Sequence, residues 1–79
     1  MIIDILAFGI AKEIFGGSSI TIELSGSSIG YLKEMLEDKY PRLKQLASYM
    51  IAVNNEYANN DQEIKQGDEI AVIPPVSGG

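Results

Sequence analysis

The residues whose types and spacing could do chemistry lie together at the end of the chain, in Pro74-Pro75-Val76-Ser77-Gly78-Gly79. Each proline fixes φ near about −65° and lacks a backbone N–H, so the pair ends a preceding strand and stiffens the chain beyond it. A small apolar residue, a small polar one and two glycines come next. Glycine has no Cβ, so the backbone of Gly78-Gly79 can enter a passage too narrow for other residues. The one distinctive group on such a tail is the carboxylate of Gly79, which is expected to be the working group of the protein. The competing reading is a frayed end rich in small residues; the Pro-Pro stop favours the functional one.

The rest of the composition narrows the chemistry further. The 79 residues form one small domain, expected to span 1–73, with 74–79 as an extended functional tail. The sequence has no cysteine and no histidine. Disulfides, thiolate metal sites, cysteine nucleophiles and the commonest general base are therefore excluded. No paired-carboxylate spacing replaces them, so a stand-alone enzyme is not expected. The net charge is −5, from 6 basic and 11 acidic residues, which argues against nucleic acid and anionic membrane as partners. Met1-Ile2-Ile3-Asp4 lacks the features of a secretory signal, and no apolar run approaches the ~18 residues of a membrane span. A cytoplasmic location is expected. Asn and Asp are frequent between Asn54 and Asp61, but the calcium-loop pattern is absent, and turn bonding accounts for them.

The elements that must position the tail follow from periodicity. Ile2 to Phe8 reads as a strand with Ile3, Ile5 and Ala7 on one face and Asp4, Leu6 and Phe8 on the other. The carboxylate of Asp4 marks the second face as the outer one, which leaves Leu6 and Phe8 facing outward. Ala11 to Phe15 can make one helical turn before Gly16-Gly17 stops it. Ser19 to Leu24 alternates cleanly, with Ile20, Ile22 and Leu24 inward. Ser28 is the expected N-cap of a helix whose stripe runs Ile29, Leu32, Met35, Leu36 and Tyr40 until Pro41 ends it. Gly30 in its first turn is either a tolerated irregularity or a close approach to a strand. Leu43 and Leu46 suit a short 3₁₀ turn, Met50 to Val53 a third strand, and residues 54–61 turns around one short extended piece. Glu69 to Ile73 forms the last strand, with Ile70 and Val72 on one face and Glu69, Ala71 and Ile73 on the other.

This order predicts an α+β chain with the ubiquitin-like β-grasp arrangement: a mixed sheet with one main helix packed on one face. In it the first and last strands lie side by side and parallel at the sheet's middle. Leu6 and Phe8 would then adjoin Ala71 and Ile73 on the uncovered face, a contiguous apolar patch leading to the tail. Such patches more often mark interaction sites than accidents, the alternative being a half-buried sheet face.

The segment Gly67-Asp68-Glu69-Ile70-Ala71-Val72-Ile73-Pro74-Pro75-Val76-Ser77-Gly78-Gly79 resembles the end of the small subunit of molybdopterin synthase. Ile5-Leu6-Ala7-Phe8, Ala11-Lys12-Glu13-Ile14-Phe15-Gly16 and Ala52-Val53-Asn54 resemble that family as well, so the likeness runs over essentially the whole chain. The resemblance implies that a ubiquitin-activating-like adenylyltransferase uses ATP to convert the Gly79 carboxylate to an acyl adenylate. A sulfur donor protein then turns the adenylate into a thiocarboxylate. It implies that the large subunit of molybdopterin synthase receives the tail and passes the sulfur to a pterin precursor. On this view no cofactor is held permanently, and the adenylate and thiocarboxylate are transient. Gly78 and Gly79 are the reacting end. Leu6, Phe8, Ala71, Ile73, Pro74, Pro75, Val76 and Ser77 are the expected partner-binding residues. Two alternatives share the fold and tail: a ubiquitin-like modifier that forms isopeptide bonds through Gly79, and a sulfur carrier for another product such as the thiamin thiazole.

Overall fold

The computed structural model describes residues 1–46 and 48–74. Among them the elements run β1 (Ile2–Ala7), α1 (Ile10–Phe15), β2 (Ser19–Glu23), α2 (Ile29–Lys39), a 3₁₀ turn (Pro41–Gln45), β3 (Met50–Val53), β4 (Glu56–Tyr57) and β5 (Ile70–Ile73). The strands make one mixed sheet in the order β2-β1-β5-β3-β4. β1 pairs antiparallel with β2 and parallel with β5, and β3 pairs antiparallel with β4 and β5. The α+β β-grasp architecture expected from the sequence is the one observed. The first and last strands are shorter than expected by one residue each, Phe8 and Glu69 lying outside the ladder, and β2 ends at Glu23 rather than Leu24.

Local chemistry accounts for each element. Gly16 ends α1 in the left-handed conformation at φ 82°, and its N–H bonds the Lys12 carbonyl. The Ser28 hydroxyl accepts the Tyr31 N–H and caps α2. The next two N–H groups, of Ile29 and Gly30, bond the carbonyls of Gln62 and Asn60, so the loop after β4 closes over the start of the helix. A Cβ on Gly30 would lie at ordinary contact distance, 3.4 Å, from the Asn60 carbonyl oxygen. The approach at Gly30 is thus to a loop, not to a strand.

Val53 pairs with Glu56 across a two-residue loop, Asn54-Asn55, whose φ values are 53° and 72°. Positive φ at both central residues is the hairpin turn whose twist matches the strands, and Asn tolerates it. The Asn54 side chain also ties this hairpin to the start of β5. Its oxygen accepts the Glu69 N–H, and its amide donates to the Asp68 carboxylate. That carboxylate also accepts the Lys65 N–H. The backbone bond from Lys65, then the bond from Asn54, hold Asp68 below the usual carboxylate range. The asparagine-rich stretch is therefore turn architecture. Among the described residues no group of three or more carboxylates gathers to hold a metal.

One layer of core lies between the sheet and α2. Ile5, Ile51, Ile70 and Val72 from the sheet meet Ile29, Leu32 and Leu36 from the helix, all fully buried or nearly so. Leu43 of the 3₁₀ turn and Leu24 close the layer, and the Phe15 and Tyr40 rings meet at 4.8 Å. Burying each large aliphatic side chain stabilises by about 1.5–3 kcal/mol relative to exposure. All of this apolar material is drawn to one face of the sheet. No helix among the described residues is long and apolar enough to cross a membrane.

Candidate functional site

Among the described residues the other face of the sheet carries no helix, and strand register decides what it presents. In β1 and β5 alternate residues point away from α2: Leu6 opposite Ala71, with Phe8 and Ile73 beyond them. In β3 and β4 the same face takes Ala52, paired with both Ala71 and Tyr57, and Met50, paired with Ile73. Two alanines thus lie side by side in the centre with larger side chains around them. The centre sinks, and an open hollow of about 440 Å³ forms, lined by Leu6, Phe8, Ala52, Asn55, Tyr57, Glu69, Ala71 and Ile73.

The sequence places Leu6, Phe8, Ala71 and Ile73 in one patch, and all four line this hollow. They do not form a flat patch of four exposed side chains. Ala71 is only 8% exposed and makes the floor, while Phe8, at 46%, stands at the rim. Ala52 and Tyr57 are not among the residues expected from the sequence, yet Tyr57 is the most exposed aromatic side chain among the described residues, at 67%. Their signal lies in alternation against Ile51 and Val53 and in the two-residue turn that folds Tyr57 back over Ala52. The hollow is apolar along its floor, and its polar lining side chains are Asn55, Glu69 and the Tyr57 phenol. Its lining holds one carboxylate, that of Glu69, and the described residues bring no group of three or more carboxylates together.

Pro74 continues from Ile73, the end of β5, at the centre of the sheet. It lies against Gly9, where a Cβ would come within 3.1 Å of the proline Cγ. Pro75, Val76, Ser77, Gly78 and Gly79, the remainder of the expected tail, lie outside the described residues.

A five-stranded mixed sheet with one main helix across a single face, its last strand running up the middle beside the first, defines the β-grasp class typified by ubiquitin. Within that class the chain belongs to the ThiS family, whose profile matches residues 5–79. It is 43% identical over 81 residues to the molybdopterin synthase sulfur carrier subunit of Dictyostelium discoideum, covering 95% of this chain and 93% of that one. Two solved structures extend the likeness. Small archaeal modifier protein 1 from Methanosarcina acetivorans has a TM-score of 0.80 and 27% identity, over 99% of this chain and 96% of that one. A chain in the complex of subunits 1 and 2 of molybdopterin-converting factor from Helicobacter pylori has a TM-score of 0.71 and 28% identity, over the whole of both chains.

Proposed function

We propose that this chain is a sulfur carrier for molybdopterin synthesis. The Gly79 carboxylate attacks the α-phosphate of ATP on a ubiquitin-activating-like adenylyltransferase, releasing pyrophosphate and leaving an acyl adenylate. Sulfur supplied by a donor protein at the hydrosulfide level, HS⁻, then attacks the acyl carbon, and AMP leaves as the thiocarboxylate forms. Activation has to come first, because a carboxylate is a poor electrophile and AMP is a good leaving group. The carrier next docks on the large subunit of molybdopterin synthase through the hollow at Leu6, Phe8, Ala71 and Ile73. It extends Pro74 to Gly79 into that subunit, and the sulfur passes to the pterin precursor there. The large subunit supplies the catalytic side chains, in keeping with a carrier sequence without histidine or cysteine. Docking energy gathered on the sheet positions an atom several residues away, an arrangement by which remote binding lowers a barrier.

One observation carries this reading: the central strand leads out at Pro74 beside an apolar hollow, in a chain whose likeness to a sulfur carrier subunit covers nearly its whole length. A second reading, a modifier joined to lysines through Gly79, is favoured by the likeness to the archaeal modifier protein. Mass spectrometry of the protein from its own cells separates the two. A gain of about 16 Da on the last peptide, oxygen replaced by sulfur, supports the carrier. Isopeptide conjugates of a tagged copy in cells with normal molybdoenzyme activity support the modifier. Removal of Gly79 is expected to abolish sulfur transfer with an unchanged thermal melt. A truncated chain that still delivers sulfur overturns the carrier reading, and one that still forms conjugates overturns the modifier reading.

A further inference from the structure

The joint between β1 and α1 reaches the tail's exit. The Ala11 N–H bonds the Phe8 carbonyl at 3.0 Å, so Phe8 to Ala11 closes a four-residue turn with Gly9 in its second position. Gly9 has φ 56° and ψ −133°, the conformation of a type II′ turn, which residues with a Cβ rarely adopt. Gly9 offers no side-chain cap to α1, where Ser, Thr, Asp or Asn would be the usual choice. What its missing side chain leaves is room: the Pro74 ring lies where a Cβ would come within 3.1 Å of its Cγ. Real Cβ contacts are seldom that close, so a side chain at position 9 requires the ring to give by a few tenths of an ångström. Pro74 is the first residue beyond the last strand, and its fixed φ passes on any change in its seating to the residues after it.

We propose that Gly9 is a positioning residue for the tail: it forms the seat on which Pro74 sets the direction in which the chain leaves the sheet. This rests on the sulfur-carrier reading. Docking belongs to the hollow, and Gly9 sets the aim. A tail released at a changed angle from a correctly docked domain brings its end to the wrong place, and misplacement of a reacting atom by an ångström costs about 10- to 100-fold in rate.

The test is a double-mutant cycle on the full chain: wild type, Gly9→Ala, Pro74→Ala and Gly9→Ala/Pro74→Ala. Each is loaded with sulfur and read by single-turnover transfer at saturating large subunit, with affinity for that subunit measured separately. Gly9→Ala is expected to slow transfer at saturation by about 10- to 100-fold, with affinity within about twofold of wild type. With alanine at position 74 the ring Cγ is gone, and the same Gly9→Ala change is expected to alter the rate by less than about twofold. Backbone strain at position 9 is present in both backgrounds and lowers Tm in both, so a purely structural role predicts equal losses. Equal losses, or a loss of affinity in place of rate, overturn the proposal. Failure of the carrier reading shows differently, as wild-type protein that takes up no sulfur. Gly9 is then judged by nuclear Overhauser contacts between its α-protons and the Pro74 ring, whose absence in wild type overturns the seat.

Discussion

Replacement of Phe8 by alanine tests the docking face, because Phe8 stands at the rim of the hollow and is absent from the core. Its side chain is 46% exposed in the free domain. On an aromatic side chain of about 200 Å² that leaves roughly 90 Å² for a partner to cover. At about 25 cal/mol per Å², covering it is worth about 2.3 kcal/mol. Alanine retains the Cβ, so about 2 kcal/mol of this is lost on truncation, equivalent to about a 30-fold rise in Kd. Titration calorimetry of the carrier into the large subunit of molybdopterin synthase reads this directly. Folding is expected to lose less than about 1 kcal/mol, since the half-exposed ring leaves no buried cavity behind. Tyr31 is the matched control. It is an aromatic residue, 36% exposed, carried on α2 and so away from the hollow. Tyr31→Ala is expected to leave Kd within about twofold of wild type, as surface changes outside an interface do. A Phe8→Ala protein that binds as tightly as wild type, or a Tyr31→Ala protein that weakens as much, refutes docking through the uncovered face.

Other substitutions test the frame. Asn54→Ala removes two side-chain hydrogen bonds and forces alanine to φ 53°, and is expected to cost about 2 kcal/mol in urea unfolding while Kd for the large subunit is unchanged. Tyr49 donates a hydrogen bond to the Glu37 carboxylate; its partial burial first, then that bond and the nearby negative charge, push its phenol well above the ordinary 10. The folded state therefore holds this proton more tightly than the unfolded chain, so the stabilisation is intact below pH 10 and is lost as pH rises beyond it. Tyr49→Phe is expected to flatten the fall in stability between pH 9 and pH 11, about one unit either side of the ordinary value, in urea melts. The sign reverses at Asp68, whose carboxyl is held down in the folded state: its contribution is present above the ordinary carboxylate range and lost on acidification. Asp68→Asn is expected to blunt the acid limb of a pH–stability profile, and an unaltered limb counts against the bonding described for the turn before β5.

Much of this frame was legible because each signal was local. Period-two alternation in Ile2–Ala7 and Ile70–Ile73 separates Ile3, Ile5, Ala7, Ile70 and Val72, all buried, from Leu6 and Ile73 on the other face. Ser28 followed by the Ile29, Leu32, Leu36 stripe marks α2, and Pro41 marks its end. The hollow was only half legible. Leu6, Phe8, Ala71 and Ile73 come from alternation in two strands, but Ala52 and Tyr57 join them through a register set by the positive φ of Asn54 and Asn55. Nor does alternation reveal depth. A patch of four residues becomes a hollow because Ala52 and Ala71 are direct cross-strand partners. Gly9 reads locally as a small residue before a helical turn. Its meeting with Pro74 depends on where the last strand ends, which local pattern does not contain.

The meeting of the hollow's Phe8–Ile73 rim with the chain's exit has a single topological cause. β1 and β5 run parallel, so the end of β1, where Phe8 and Gly9 sit, is also the end of β5, where Ile73 gives way to Pro74. Were β5 antiparallel to β1, the chain would leave beside Met1 and Ile2, and the apolar rim would face away from its own tail. Parallel neighbours need a long crossover, and here the crossover supplies α2, which covers the opposite face and leaves this one free. β5 is also hydrogen-bonded on both sides, to β1 and β3. A force applied at Pro74 is therefore carried by two ladders before any core contact opens, whereas an edge strand would peel along one. On the sulfur-carrier reading, a domain held on its sheet while its tail is threaded elsewhere gains from that arrangement, because tension on the tail leaves the proposed docking face intact.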